Sequence, residues 1–99
     1  WGIPTVDSIR MVREAAPQVT LIASGGLRDG LDVAKAIALG AHLGGLSRPF
    51  LKAATSSTAA VVEVAQAMVT ELRIAMFCIG AKNLAALRDT PHLVVWENV

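Results

Sequence analysis

The sequence contains few of the residues that stabilise secreted domains or attract polyanions. Its 99 residues include one cysteine, no tyrosine and 4% aromatic residues, and nine Lys and Arg against eight Asp and Glu give a net charge of +1. A single thiol excludes an internal disulfide. A nearly neutral chain also lacks the charge surplus that attracts nucleic acids or acidic membranes, so we expect neither partner.

Long apolar runs are absent as well. The longest stretch without a charged residue, 15–27, contains Pro17 and two glycines, and it is shorter than the roughly 20 apolar residues that span a bilayer, so no membrane span is predicted. The chain begins with Trp1 rather than with Met and a basic, apolar leader. We therefore expect a cytoplasmic protein and a piece of a longer chain.

Apolar residues make up 54% of the chain and occur at two spacings. Spacings of three or four predict helices at residues 6–16, 30–39, 50–54, 59–79 and 84–87. Continuous apolar runs predict parallel strands, buried on both faces, at residues 19–23 and 42–46. Thr5 and Asn83 are the predicted N-caps of the first and last helices. The alternation of helices and strands is typical of an α/β fold.

Two strands cannot complete such a fold by themselves. A two-stranded parallel sheet has two open edges and two faces that need cover, so we expect further strands upstream. The positions of the second helix predicted to be buried are Leu31, Ala34, Ile37 and Ala38. The corresponding stripe of the long helix is Val61, Ala65, Met68, Leu72, Met76 and Ile79.

The segment most indicative of chemistry is 23–30, Ala-Ser-Gly-Gly-Leu-Arg-Asp-Gly. Paired glycines let the backbone approach an anion, which a helix N-terminus attracts, and Arg28 offers charged donors that suit phosphate oxygens. The second strand ends at Ser47 and Arg48, just before Pro49 starts a short helix. We expect both loops to face one ligand, because the loops after the last two strands of a (β/α)₈ barrel commonly bind phosphate.

The other candidate residues have plainer explanations. His42 and His92 have no second His or Cys at ligand spacing, so no metal site is predicted. Cys78 is expected to be a packed thiol near the end of a buried helix rather than a nucleophile. Trp1 is a candidate for the mouth of a pocket. No acidic residue is predicted to be a general base, and a Gly-Gly turn alone is also compatible with a tight connection.

Several strings in the chain resemble one family. They are WGIPT at 1–5, ASGGLRDGLDVAKAIALGA at 23–41, RPFLKAA at 48–54 and ELRIAMFCIGAKNLAALR at 71–88. Together they are similar to the C-terminal part of the type 2 isopentenyl-diphosphate isomerases, flavin enzymes built on a (β/α)₈ barrel. The resemblance implies that residues 1–99 are the last two βα units of a single FMN-binding barrel domain.

The resemblance also implies a cofactor site. In the family, the FMN phosphate is held by the backbone after the seventh strand and by two residues at the end of the eighth. Transferred by motif, the FMN-binding residues are Gly25, Gly26, Leu27, Arg28, Ser47 and Arg48. The family's catalytic glutamine and metal-ligating glutamate belong to earlier strands, so no catalytic residue is assigned to this chain.

For the full-length protein, the resemblance implies the interconversion of isopentenyl and dimethylallyl diphosphate. That reaction requires reduced FMN, Mg²⁺ and NADPH, and the implied enzyme is a homo-oligomer whose partner is the isoprenoid diphosphate substrate. Alone, this chain is expected to be inactive.

Two other functions stay open. Ser47-Arg48 resembles the Gly-Arg pair of FMN-dependent 2-hydroxy-acid oxidases and dehydrogenases, which use a His base and a substrate-binding Arg upstream of this region. The second alternative is a phosphate-binding or interaction module without enzymatic activity, which would cover its open sheet edges by self-association.

Overall fold

The computed structural model describes residues 4–93, so the predictions for Trp1 and for residues 94–99 lie outside the described residues. The elements in chain order are α1 (Thr5–Ala15), β1 (Ile22–Ala23), α2 (Gly30–Leu39), β2 (Leu43–Gly44), α3 (Arg48–Ala54), α4 (Thr58–Cys78) and α5 (Leu84–Arg88). This order confirms the predicted alternation of helices and strands. The helix bounds agree to within about two residues. α3 begins at Arg48, two residues before the predicted range 50–54, and Pro49 lies in its first turn as predicted.

The two strands are parallel and short. Ile22 pairs with Leu43 and Ala23 pairs with Gly44. Burial on both faces was wrongly predicted, because Ala23 is buried whereas Ile22 and Leu43 are 59% and 54% exposed. Since paired residues lie on the same face of a sheet, the helices cover one face and leave the other face open.

The predicted helix caps are correct at one end of the chain and wrong at the other. The Asn83 side chain accepts a hydrogen bond of 2.8 Å from the amide of Ala86, as an N-cap does. Thr5 is instead the first residue of α1, and the cap position is occupied by Pro4. The Thr5 hydroxyl donates to the carbonyl oxygen of Gly25 at 2.6 Å and thereby ties the start of α1 to the loop after β1.

Two apolar clusters hold the elements together. The first, between α1, the sheet and α2, comprises Ile9, Ala23, Ala36 and Ala41. The second, between α2, α4 and α5, comprises Ala34, Ile37 and Leu87, with half-buried side chains of α4 packed against it. The predicted burial of Ala34 and Ile37 is confirmed, whereas Leu31 is 47% exposed. The predicted stripe of α4 is only half-buried, because one layer of elements covers it.

A glycine brings α2 and α4 into backbone contact. Gly30 is buried, and a Cβ at this position would overlap the carbonyl oxygen of Met68 and lie 2.6 Å from the Cβ of Glu71. The first turn of α2 therefore packs directly on the backbone of α4. Among the described helices, none is long and apolar enough to cross a membrane.

Candidate functional site

The loops that follow β1 and β2 form the walls of one cleft of about 760 Å³. They lie together because the carboxyl ends of parallel strands are at the same edge of a sheet. The amide of Gly45 donates to the carbonyl of Ala23 at 2.6 Å, and a Cβ on Gly45 would lie only 3.3 Å from the Cβ of Ser24. All six residues singled out in the sequence line this cleft, namely Gly25, Gly26, Leu27, Arg28, Ser47 and Arg48.

The first wall is a turn that depends on glycine. Gly25 and Gly26 have φ values of 95° and 81°, a backbone region that side chains with a Cβ rarely adopt. Leu27 packs its side chain against the first apolar cluster. Within residues 4–93, the amides of Gly26 and Leu27 donate to no protein acceptor. The turn therefore offers two free amides to a ligand in the cleft.

The N-terminus of α2 differs from the sequence-based prediction of an anion seat. Asp29 accepts a hydrogen bond from the amide of Asp32 at 2.8 Å. The Asp32 carboxylate accepts from the amide of Arg28 at 3.0 Å, and Glu71 accepts from the amide of Gly30 at 3.4 Å. Because three carboxylates already lie at this positive end of the helix, we expect an anion to be bound mainly by the amides of the preceding turn.

The Arg28 side chain keeps most of its donors. Its Nε lies 3.3 Å from Oδ2 of Asp32, and the side chain is 82% exposed. A guanidinium carries five N–H groups, so this one contact leaves four of them for a ligand. The ion pair itself contributes little to stability because it is exposed to solvent. Its effect is to hold the Nε end of the guanidinium beside the turn.

The second wall contributes a hydroxyl and two cations. Ser47 occupies the N-cap position of α3, but its side chain makes no capping hydrogen bond, so the hydroxyl remains available. Arg48 and Lys52 line the cleft from positions four apart on α3, which places them on the same side of the helix. Neither residue forms a salt bridge within the described part of the chain.

Lys52 is the site residue that sequence reasoning missed. Its spacing from Arg48 was the signal, because residues four apart on a helix are neighbours. With Arg28, Arg48 and Lys52 present and no acidic residue among the lining residues, the cleft carries a positive charge. Free amides, a hydroxyl and two arginines together form a donor set that suits a phosphate group.

The remaining candidates lie away from the cleft. Nδ1 of His42 accepts a hydrogen bond of 3.1 Å from the amide of Leu21, which gives this side chain a role in joining the two strands. Cys78 was predicted to be packed, but it is exposed, since no described element covers its side of the last turn of α4. Residues 4–93 contain no group of three or more His, Cys, Asp or Glu side chains that could hold a metal ion.

Comparison with protein families agrees with the resemblance noted from the sequence. The family model described as FMN-dependent dehydrogenase matches residues 2–95. The chain therefore belongs to the FMN-dependent dehydrogenase family. The (β/α)₈ barrel is the architecture that this family implies for the complete domain.

The similar curated proteins carry a more specific name, isopentenyl-diphosphate delta-isomerase. The relative from Nostoc sp. strain PCC 7120 is 52% identical over 93 residues, which are 94% of this chain and 27% of that protein. The relative from Xanthobacter autotrophicus is 55% identical over 91 residues, 92% of this chain and 26% of that protein. The relative from Mycobacterium marinum is 51% identical over 89 residues. The chain thus spans about a quarter of the length of these relatives.

Proposed function

We propose that this chain is the C-terminal part of an FMN-dependent isopentenyl-diphosphate delta-isomerase and that it forms the binding site for the FMN phosphate. The observation that carries the proposal is the convergence of two strand-end loops on one positively charged cleft. The names and the roughly 50% identity of the curated relatives support the choice of enzyme.

The residues of the cleft fit a phosphate in two respects. The amides of Gly26 and Leu27 and the hydroxyl of Ser47 are neutral donors without protein partners in the described residues. Arg28 and Arg48 add the charge that a phosphate dianion requires. Since the amide of Arg28 is engaged by Asp32, Arg28 acts in this proposal through its side chain.

The open face of the sheet supports the proposed barrel. Ile22 and Leu43 lie opposite each other and are more than half exposed, although a strand of an eight-stranded barrel packs its inward face against other strands. We assign β1 and β2 to the last two strands of that barrel, with their open face directed toward its interior. Strands upstream of this chain would cover Ile22 and Leu43.

The chemistry of the reaction lies largely outside this chain. When bound and reduced, FMN supplies the acid and base functions that shift a proton within the allylic unit of the substrate. The described residues bind and orient its phosphate, and they provide no cluster for the Mg²⁺ ion. From the resemblance to the isomerases, we propose that other residues of the longer protein hold Mg²⁺, that NADPH reduces the flavin, and that the complete enzyme is a cytoplasmic homo-oligomer.

An oxidase or dehydrogenase of 2-hydroxy acids is the second candidate. Its support is the family description, FMN-dependent dehydrogenase, together with the Ser47-Arg48 pair, which resembles the Gly-Arg pair of these enzymes. The two activities are distinguished by incubating the full-length protein with isopentenyl diphosphate, FMN, NADPH and Mg²⁺, and separately with 2-hydroxy acids, oxidised FMN and an electron acceptor such as O₂, without NADPH. Formation of dimethylallyl diphosphate supports the isomerase, and formation of a 2-oxo acid overturns it.

Titration of full-length apoprotein with FMN tests the cleft itself. Arg28→Ala and Arg48→Ala each remove charged hydrogen bonds, which contribute about 1.5 to 3 kcal/mol and correspond to about a ten- to hundredfold weaker affinity. The matched control is Lys82→Ala, which removes an exposed cation that does not line the cleft. Wild-type FMN affinity in both arginine variants would remove these residues from the site.

A further inference from the structure

The long helix α4 packs against the elements that carry both walls of the cleft. It contacts α2, which follows the glycine turn of the first wall, and α3, which carries Arg48 and Lys52 of the second wall. α3 joins the start of α4, whereas the first turn of α2 meets α4 at residues 68–72, about 20 Å further along its axis. Because one helix contacts both elements, its contacts bear on the separation of the two walls.

The second wall is attached to the start of α4 by a tight connection. The amide of Ser57 donates to the carbonyl of the buried Ala53 in α3 at 3.2 Å. The hydroxyl of Ser57 accepts from the amide of Ala60 in α4 at 3.0 Å. Since the same residue bonds to both helices, the direction of α3 relative to α4 is fixed.

The first wall is attached to α4 through Gly30 and Glu71. A Cβ on Gly30 would lie 2.9 Å from the backbone nitrogen of Leu72, so the first turn of α2 touches the backbone of α4. At this contact the carboxylate of Glu71, a half-buried residue, accepts from the amide of Gly30 at 3.4 Å. This hydrogen bond joins two helices across 41 residues of sequence.

The helix α2 does not need Glu71 in order to begin. Its N-cap is local, because the side chain of Asp29 accepts from the amide of Asp32 at 2.8 Å. The hydrogen bond to Glu71 therefore adds a connection to another helix rather than a start signal for this one. What it determines is where the first turn of α2 lies.

The side chain of Arg28 follows the position of that first turn. Oδ2 of Asp32 accepts from the amide of Arg28 at 3.0 Å and lies 3.3 Å from its Nε. Since Asp32 belongs to the first turn of α2, a displacement of this turn also moves the guanidinium that lines the cleft. Paired hydrogen bonds from a guanidinium to a phosphate require a defined geometry, so this displacement affects affinity.

We infer that Glu71 is a positioning residue of the phosphate site, because it holds the first wall of the cleft in register with the second. The inference rests on the proposed function, since it concerns the affinity of the same cleft for the phosphate of FMN. Glu71 is not among the residues that line this cleft, and it acts on the ligand through Gly30, Asp32 and Arg28.

Titration of the full-length apoprotein with FMN tests this role. Glu71→Ala removes the acceptor and Glu71→Asp withdraws it by one methylene, so each is expected to weaken FMN binding about fivefold, which corresponds to one net hydrogen bond. Glu71→Gln keeps an acceptor oxygen and is expected to bind FMN within about twofold of wild type. The matched control is Glu63→Ala, which removes an exposed carboxylate about two turns earlier on α4 and is expected to bind FMN like the wild type.

The sign of the effect separates position from charge. Loss of a negative charge alone strengthens the binding of an anion, whereas loss of position weakens it. Riboflavin, which has no phosphate, is titrated in parallel at a temperature at which thermal unfolding shows every variant to be folded. Losses in Glu71→Ala and Glu71→Asp that are confined to FMN support the inference. Equal losses for FMN and riboflavin, wild-type FMN affinity in both variants, or an equal loss in Glu71→Gln would each overturn it.

The variants Arg28→Ala and Arg48→Ala in the same titration distinguish this inference from the proposed function. If they lose affinity for FMN while Glu71→Ala and Glu71→Asp keep it, the positioning role alone is overturned. If they bind FMN like the wild type, the cleft is not the phosphate site, and the proposed function and this inference are both overturned.

Discussion

Replacing Thr5 with valine tests whether the start of α1 holds the glycine turn, Gly25 and Gly26, in the conformation that the proposed phosphate site requires. The Thr5 hydroxyl donates to the Gly25 carbonyl at 2.6 Å across 20 residues of sequence. A Cβ on Gly25 would lie 3.3 Å from the hydroxyl oxygen of Thr5. Valine keeps the branched shape and the stiffness of threonine at this position. The substitution therefore removes the hydrogen-bond donor and leaves the start of α1 otherwise unchanged.

The expected effect follows from the energy of that bond. A neutral hydrogen bond contributes about 1 kcal/mol net, which corresponds to about a fivefold weaker affinity if the whole contribution goes into aligning the Gly26 and Leu27 amides with the phosphate. The measurement is the dissociation constant of FMN from the full-length protein, obtained from flavin fluorescence. Thr5→Ser keeps the hydroxyl and is expected to bind FMN like the wild type.

Thr55→Val provides the matched control. The Thr55 hydroxyl also donates to a carbonyl at 2.6 Å, but the acceptor is the carbonyl of Lys52 within α3 rather than the glycine turn. We expect this variant to keep the wild-type affinity for FMN. Equal affinities for Thr5→Val and wild type, or equal losses in Thr5→Val and Thr55→Val, would refute the idea that α1 positions the turn.

Three further predictions concern packing and charge. Gly30→Ala forces α2 away from the backbone of α4 and is expected to lower the free energy of unfolding, measured in urea, by about 2 to 3 kcal/mol. The control is Gly80→Ala. Gly80 has a φ of 71° and open space around it, so this variant is expected to lower the free energy of unfolding by only about 1 kcal/mol. Lys52→Ala is expected to weaken FMN binding about threefold, less than Arg48→Ala, and the difference from wild type should shrink in about 0.5 M NaCl, which screens exposed charges. Asp32→Asn removes a negative charge beside the turn, so the free energy of unfolding is expected to fall while FMN binds at least as tightly as in wild type. Weaker binding of FMN would show that this carboxylate helps to form the site.

Local signals in the sequence predicted the parts of the structure that depend on near neighbours. Asn83 caps the helix that begins at the next residue by accepting from the amide of Ala86, and Gly25 and Gly26 form a turn with positive φ angles between a strand and a helix. Such features need only a few adjacent residues. The same holds for the cleft, because parallel strands bring their carboxyl ends together whatever the intervening sequence is.

Contacts between distant residues were not predictable in this way. Thr5 resembles an N-cap in sequence, and only the fold shows that its hydroxyl is used by Gly25. Glu71, 41 residues along the chain from Gly30, accepts a hydrogen bond from the Gly30 amide at the N-terminus of α2, the end of the helix that was predicted to attract an anion. The exposure of Ile22 was likewise not predictable from the apolar run alone, since the burial of a strand depends on which elements cover each face of its sheet.

Because of the carboxylates at its start, the helix α2 does not depend on a bound flavin for its stability. Asp29 and Asp32 satisfy their amide partners from within the chain, so the first turn of α2 needs no anion in order to stay wound. We therefore expect that departure of FMN relaxes only the glycine turn beside the helix. Cofactor exchange would then proceed on a preformed scaffold, and apoprotein should regain flavin without refolding.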